Sequence, residues 1–331
     1  MKILFIGGTG KISSACTSLA VERGFDMYLL NRGQTDRPVP EGVTILTADI
    51  RDRESARAAL ADHKFDAVVN FIAFTAEHIE TDLELFRDRT DQYIFISSAS
   101  AYQSPPVNLP VTESTPLDNP YWQYSRDKIA CEERLMRAYR EEKFPFTVVR
   151  PSHTYDRTML PFQGGWTVVD RMRRGQKVIV HGDGSSLWVF THHSDFAKGF
   201  VGLLGNSRAI GEAFHITSDE LLTWNQLHEI AARAAGAPPP QIVHIPSDLI
   251  NAFDSNWGAG LLGDKAASMI FDNSKIKRIS PDFVCTVPYE RGAKEMVDWY
   301  DADPSRKVID AEFNVLTDRI IAAYERAWEG L

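Results

Sequence analysis

The sequence predicts an α/β fold: a doubly wound parallel sheet followed by a smaller C-terminal lobe. Three observations predict it. Short unbroken apolar runs alternate with amphipathic stretches as far as residue 150; a glycine cluster follows the first run directly; past residue 151 glycine, proline and tryptophan become denser. Strands read as continuous apolar runs when both faces of a sheet are covered, the condition of a parallel sheet flanked by helices. Right-handed crossovers then wind the helices onto both faces.

Residues 3–6 are the first strand, 13–23 a helix, 27–30 and 43–47 the second and third strands. Residues 53–61 are helical in pattern, 67–74 form an apolar run of strand length, 83–89 are again helical, and 93–97 make the fifth strand. A long helix rich in charge pairs covers 124–143 and stops at Phe144-Pro145. Residues 146–149 are the sixth strand, and 213–217 read as one more strand of the same sheet. A dinucleotide-binding domain is thus expected over 1–165, with returns near 190–218. Residues 166–331 form mainly a substrate lobe, the cleft between the two holding the site. Residues 310–329 read as an acidic C-terminal helix.

At 331 residues the chain has room for about two lobes and needs no disulfide or metal staple. With 44% hydrophobic and 24% charged residues, its composition is that of an ordinary globular enzyme. Its 36 Lys and Arg against 45 Asp and Glu leave a net charge of −9, which argues against a nucleic-acid partner. Cys16, Cys131 and Cys285 are widely spaced and odd in number, so they read as small hydrophobes in a reducing compartment. The first apolar run meets Gly7 too soon for a signal peptide, and no run approaches the ~18 residues of a membrane span. A cytoplasmic protein without a membrane partner is expected.

Gly7-Gly8-Thr9-Gly10-Lys11-Ile12-Ser13 follows the first strand and opens the first helix. Glycines there permit a tight turn and let backbone amides approach a pyrophosphate resting on the helix N-terminus. The strand–loop–helix context is that of a Rossmann-type dinucleotide site. Ser13 replaces a third glycine and is small enough for helix–sheet packing. The second strand runs into Asn31-Arg32-Gly33, with no carboxylate until Asp36. An acidic residue there would bind a ribose 2′-hydroxyl, while an arginine accommodates a 2′-phosphate. Asn31 and Arg32 therefore favour NADP slightly over NAD. Asp49 and Ile50, after the third strand, are placed to meet the adenine edge.

Tyr124 and Lys128 lie at i and i+4, on one helix face. Ser97, Ser98 and Ser100 follow the fifth strand, at the carboxyl edge where such sheets bind ligands. A phenol of pKa about 10 needs ~4 kcal/mol of differential stabilisation to act as a base near neutrality. One positive charge ~4 Å away supplies about that much at an effective dielectric of 20. Lys128 is accordingly expected to lower the pKa of Tyr124, the acid/base, while Ser98 positions the substrate hydroxyl and hydride is exchanged with the cofactor.

Together, the loop at 7–10, Asp49, Ser97-Ser98, the Tyr124/Lys128 pair, Arg150-Pro151, and Gly182-Asp183-Gly184-Ser185 followed by His192 and Asp195 resemble the extended short-chain dehydrogenase/reductases. Within these, the likeness is to the NAD-dependent epimerase/dehydratase group, and it covers nearly the whole chain. The resemblance implies Tyr124 as acid/base, Lys128 as its orienter and a cofactor-ribose contact, and Ser98 as third member. It further implies Asn70, Phe71, Ile72 and Ala73 along the cofactor, with Pro151 and His153 nearby, and a homodimer through the long helices.

The chain also departs from that group. Members that hold a substrate pyrophosphate carry an asparagine after the sixth strand and an arginine in the later loop, where this chain has His153 and Trp188. No Asp-Glu pair sits beside the strand-end serines, which ranks dehydration below epimerisation and net oxidoreduction. Some relatives sharing Asn-Arg-Gly after the second strand bind stem-loop RNA in chloroplasts. That makes a non-catalytic RNA-binding or redox-sensing protein the rival from another class; the net charge and the intact Ser/Tyr/Lys set weigh against it.

His153, His181, His192 and His193 gather in segments expected to face the cleft, without metal-ligand spacing, and no metal is expected. Ser100, His153, Trp188 and His192 are candidate substrate contacts, and Trp166 and Trp257 further stacking candidates. Arg171, Arg173 and Arg174 read as a solvated helix face, and Lys275 and Lys277 as candidates for an anionic group beside the helix cap at Asp272-Asn273. The expected function is an NAD(P)-dependent oxidoreductase or epimerase acting on a secondary alcohol of a sugar or sugar nucleotide. The alternative enzyme is an NADPH-dependent reductase of a non-nucleotide carbonyl compound.

Overall fold

Ile3 and Phe5 face one side of the first strand and Leu4 and Ile6 the other; all four are fully buried because each face carries its own core. The computed structural model describes residues 1–34 and 37–327. Its strands are β1 (Lys2–Ile6), β2 (Asp26–Asn31), β3 (Thr44–Thr47), β4 (Ala67–Asn70), β5 (Tyr93–Ile96), β6 (Phe146–Pro151), β7 (His153–Tyr155), β8 (Lys177–His181), β9 (Leu187–Trp188), β10 (Phe190–His192), β11 (Ala213–Ile216), β12 (Leu222–Thr223) and β13 (Gln241–Ile245). Seven of them form one sheet in the order β11-β6-β5-β4-β1-β2-β3, every pair parallel. The chain runs outward one way from β1 to β3 and the other way from β4. The reversal lies between β1 and β4, where open α/β sheets bind ligands.

The helices are α1 (Ser13–Glu22), α2 (Arg53–Leu60), α3 (Ala76–Phe86), α4 (Gln123–Glu142), α5 (Trp166–Arg173), α6 (His193–Val201), α7 (Trp224–Ala234), α8 (Ser247–Phe253), α9 (Ser255–Gly260), α10 (Ser274–Ile279), α11 (Tyr289–Asp301) and α12 (Ala311–Arg326). Cys16 and Ala20 of α1 share a core with Phe196 and Phe200 of α6 on one face of the sheet. Leu60 of α2, Leu83 of α3 and Leu135 of α4 cover the other face. A doubly wound sheet results, as the alternation of runs predicts.

Two boundaries differ from expectation. The apolar run at 67–74 is a strand only as far as Asn70, whose side-chain oxygen accepts the N–H of Ile72 at 2.8 Å and turns the chain across the sheet edge. The helix expected at 83–89 begins earlier, at Ala76, because polar residues occupy its first turn and hide its period.

A third core belongs to the later part of the chain. Tyr155, Trp166, Trp188, Phe190, Trp224 and Tyr289 pack there among α5, α7 and α11. Short ladders frame it: β7 with β10, β9 with β12, and β8 with β13. Of the expected 310–329 helix, Asp310 is the cap, accepting the N–H of Phe313, and the helix spans Ala311–Arg326; Glu329 lies outside the described residues, as does Asp36. Among the described residues no helix is long and apolar enough to cross a membrane.

Candidate active site

The loop after β1 is built to keep space open. Gly7 has φ +80°, and a Cβ on it would lie 2.7 Å from a methyl of Ile72; a Cβ on Gly8 would overlap Leu29. Ser13 does more than fit: its hydroxyl donates to the Gly7 carbonyl at 2.6 Å and accepts the Gly10 N–H at 2.7 Å, bracing the turn from inside the helix. Beside this turn lies a cleft of about 280 Å³ whose wall includes Gly7, Thr9, Gly10, Asn31, Arg32 and Asp49, with Ile50 and Ile72 as apolar contacts. A turn that any larger residue would close, at a helix N-terminus, fits the pyrophosphate of a nicotinamide dinucleotide.

At the carboxyl edge of β5 the catalytic candidates converge. The Ser98 hydroxyl shares a hydrogen bond with Ser100 at 2.9 Å, and Ser125 of α4 donates to Ser100 at 2.8 Å. Lys128 is buried and its Nζ donates to the carbonyls of Ala73 and Ile96 at 2.7 and 2.8 Å. That places the ammonium 5.7 Å from the centre of the Tyr124 ring. Burial lowers the Lys128 pKa to about 8. Burial likewise raises the Tyr124 pKa; a hydrogen bond with Ser98 pulls the other way, and the charge of Asp264 adds to the rise.

The spacing alone has Lys128 bring the phenol down; in the folded chain burial of the phenol acts in the opposite direction. Two of the three protons of the Lys128 ammonium go to backbone carbonyls, which fix its position. Beneath the site lies a buried ion pair. Arg150 donates to Glu132 at 3.0 and 2.5 Å, and the Ser97 hydroxyl donates to Glu132 at 2.5 Å.

The family model described as "NAD dependent epimerase/dehydratase family" matches residues 3–217 of the sequence. The chain belongs to the NAD-dependent epimerase/dehydratase family. It is 28% identical over 257 residues to the chloroplast stem-loop binding protein of 41 kDa b of Arabidopsis thaliana, covering 73% of this chain and 65% of that one. It is 25% identical over 309 residues to 2'-dehydrokanamycin reductase of Streptomyces kanamyceticus, covering 90% of this chain and 82% of that one. In fold it is similar to dTDP-glucose 4,6-dehydratase from Bacillus anthracis, determined in complex with NAD. That TM-score is 0.72 at 20% identity, over 92% of this chain and 98% of the other.

Several expected site residues have packing or hydrogen-bond partners of their own. The Phe71 ring lies in the core, 5.3 Å from Phe5 and 5.6 Å from Phe200, and Ala73 contributes its carbonyl to Lys128. Gly8 and Ile12 back the turn, the Lys11 carbonyl bonds His193 at 3.1 Å, and Pro151 is buried in β6. Trp188 is enclosed in the third core, its ring 5.8 Å from Trp224. His192 caps α6 and pairs with Glu295 at 3.2 Å. Neither is placed to touch a substrate, since packing and capping have claimed both.

Arg171 is not on a solvated face: it is buried and bonds Asp318, Asn314 and the Lys177 carbonyl. Arg173 and Arg174 pair with Asp301 and Asp170, Lys275 with Glu212, and Lys277 with Asp219. His153, in contrast, lines a cavity of about 320 Å³ that also takes in Trp122, the neighbour of Tyr124 with ring centres 4.9 Å apart.

Two groups at the site give no signal in the sequence. Asn119 is buried and donates to the carbonyls of Ser100 and Gly263 at 2.9 and 2.6 Å while accepting the N–H groups of Tyr121 and Trp122. It thereby ties the serine turn to the start of α4. Arg37 reaches over the glycine turn to Asp156 at 2.7 Å and Thr158 at 2.8 Å. Asn119 pairs local N–H groups as a turn residue would, but its bonds to Ser100 and Gly263, like those of Arg37, reach partners distant in sequence.

Proposed function

We propose that the chain is an NAD(P)-dependent oxidoreductase or epimerase acting on a secondary alcohol, or the corresponding carbonyl, of a sugar or sugar nucleotide. The observation that carries this reading is the Ser98–Tyr124–Lys128 group at the sheet edge, beside a turn only glycine can form. Gly7, Thr9, Gly10, Asn31, Arg32, Asp49, Ile50 and Ile72 would hold the dinucleotide, which when bound supplies or accepts hydride. Ser98 holds the substrate oxygen. Tyr124 gives its proton to that oxygen in reduction and takes it back in oxidation. Lys128 stabilises the phenolate from a position its two carbonyls fix. Because burial holds the Tyr124 pKa up, the phenol carries the proton that reduction of a carbonyl needs. The likeness to 2'-dehydrokanamycin reductase over 90% of this chain is consistent with that direction.

Arg32 on the cleft wall favours NADP. The reading includes a cytoplasmic homodimer joined through the long helices, which sedimentation checks. The test is Tyr124→Phe. Cofactor binding by titration calorimetry should match the wild type while turnover of carbonyl sugars with NADPH falls at least a hundredfold; retained turnover rejects the role.

A further inference from the structure

Between β4 and α3 the chain crosses the sheet edge as a strap, residues 71–74, that touches both halves of the site. Ile72 lines the cleft beside the glycine turn, with a methyl against Gly7. The Ala73 carbonyl accepts a hydrogen bond from Lys128 at 2.7 Å, and the centre of the Phe74 ring lies 4.7 Å from the same ammonium. Where the strap sits therefore decides where a dinucleotide and the Lys128 charge can sit. At the exposed rim Arg51 donates to the Ile72 carbonyl at 3.0 Å, and His78 accepts the Phe74 N–H at 3.0 Å. From the interior the hold is Asn70, itself buried, which accepts the Ile72 N–H at 2.8 Å.

Asp82 of α3 decides which end of the Asn70 amide meets Ile72. The Asn70 Nδ2 donates to Asp82 at 2.6 Å, and the Tyr93 hydroxyl of β5 donates to the same carboxylate oxygen. An ionised carboxylate only accepts, so the amide nitrogen turns to Asp82 and the amide oxygen to Ile72. The arrangement is unfavourable in itself. Asp82 is buried, both of its hydrogen-bond donors are neutral, and desolvation raises its carboxyl to about 7. A buried carboxylate without a cation adds nothing to the fold that an apolar residue would not, which points to a role other than stability. We propose that Asp82 is a positioning residue of the site: through Asn70 it fixes the strap at 71–74, and through the strap the dinucleotide and Lys128, while lining no part of the cofactor cleft itself. The inference rests on the reading above, since it takes the cleft beside the glycine turn as the dinucleotide's place.

Titration calorimetry of the full chain with NADP+, together with hydrogen exchange of the Ile72 amide read by NMR, tests it. Asp82→Leu removes the acceptor. It should weaken NADP+ at least tenfold and speed Ile72 exchange at least tenfold, with the Val69 amide of β4 unchanged. Asp82→Asn keeps an acceptor for Asn70 without the charge, and should bring both readouts back to within about threefold of the wild type. Asn70→Leu breaks the link from its other end; it should reproduce both losses with Asp82 intact, and it decides the matter if Asp82→Leu does not fold. Tyr93→Phe removes the other donor and should leave NADP+ binding unchanged. Wild-type affinity for NADP+ in either folded leucine variant, or an Asp82→Asn variant as weak as Asp82→Leu, would overturn the role. A wild-type chain that binds neither NADP+ nor NAD+ would overturn the cofactor reading, and the role of Asp82 with it.

Discussion

The Lys128 ammonium lies 5.7 Å from the centre of the Tyr124 ring and is held there by the carbonyls of Ala73 and Ile96. Those carbonyls end the segments after β4 and at β5, so the sheet edge itself fixes the cation. Burial brings Lys128 to about 8, and above that pH it loses the charge that supports the phenolate. A fall of kcat/KM above about pH 8 is expected, and Lys128→Arg should move that limb upward at a reduced rate. A pH profile of both proteins, flat to pH 10, would rule this out.

Arg32 stands on the wall of the cleft beside the glycine turn, where Asp49 is the sole carboxylate among the described lining residues. Arg32→Ala should weaken NADP+ at least tenfold and leave NAD+ within about twofold. Dissociation constants for the two nucleotides decide the point; an unchanged preference contradicts it.

Glu132 and Arg150 each leave only 6% of the side chain exposed. Glu132→Gln removes the carboxylate and strands a buried guanidinium, a loss of about 3–5 kcal/mol in urea unfolding. Adding Arg150→Met should recover part of that loss. A single-variant effect below about 1 kcal/mol would show that the pair is not buried as described.

The cavity histidines make the fold sensitive to acid. His153, His181 and His228 have folded pKa values of about 3, 4 and 4 against 6.5 unfolded, so between those limits the unfolded chain binds more protons and stability falls as pH drops. Asp82 opposes them: burial raises it from 3.8 to about 7, so protonation in the folded chain adds stability over the same range. His193, brought by burial to about 4, adds to the histidine side, and four groups against one leave stability lower at pH 5 than at pH 7. Urea midpoints at the two pH values measure it, and equal or greater stability at pH 5 would contradict it.

Elements with a strong local pattern are legible in the amino-acid sequence alone. Buried apolar runs such as Ala67–Asn70 and the glycine turn at 7–10 carry their own period and conformation, and so do Tyr124 and Lys128 one helical turn apart. What local pattern cannot carry is competition between distant partners. Trp188 reads equally as a stacking or a packing residue until Trp224 closes over it, and Arg171 as a surface charge until Asp318 meets it. Asn119 makes two bonds to its own neighbours Tyr121 and Trp122, but those to Ser100 and Gly263 are announced by nothing near it in sequence. The Tyr124 pKa depends on how much water the folded chain excludes, which no spacing specifies.

The most direct test of the account is transfer of the label from NADPH deuterated at C4. Wild-type enzyme with a carbonyl sugar should place deuterium on the new carbinol carbon, and Tyr124→Phe, binding the cofactor equally well, should place at least a hundredfold less there in the same time. Equal labelling by the two proteins would contradict a hydride enzyme built around Tyr124, and none from either with any carbonyl sugar would contradict net reduction.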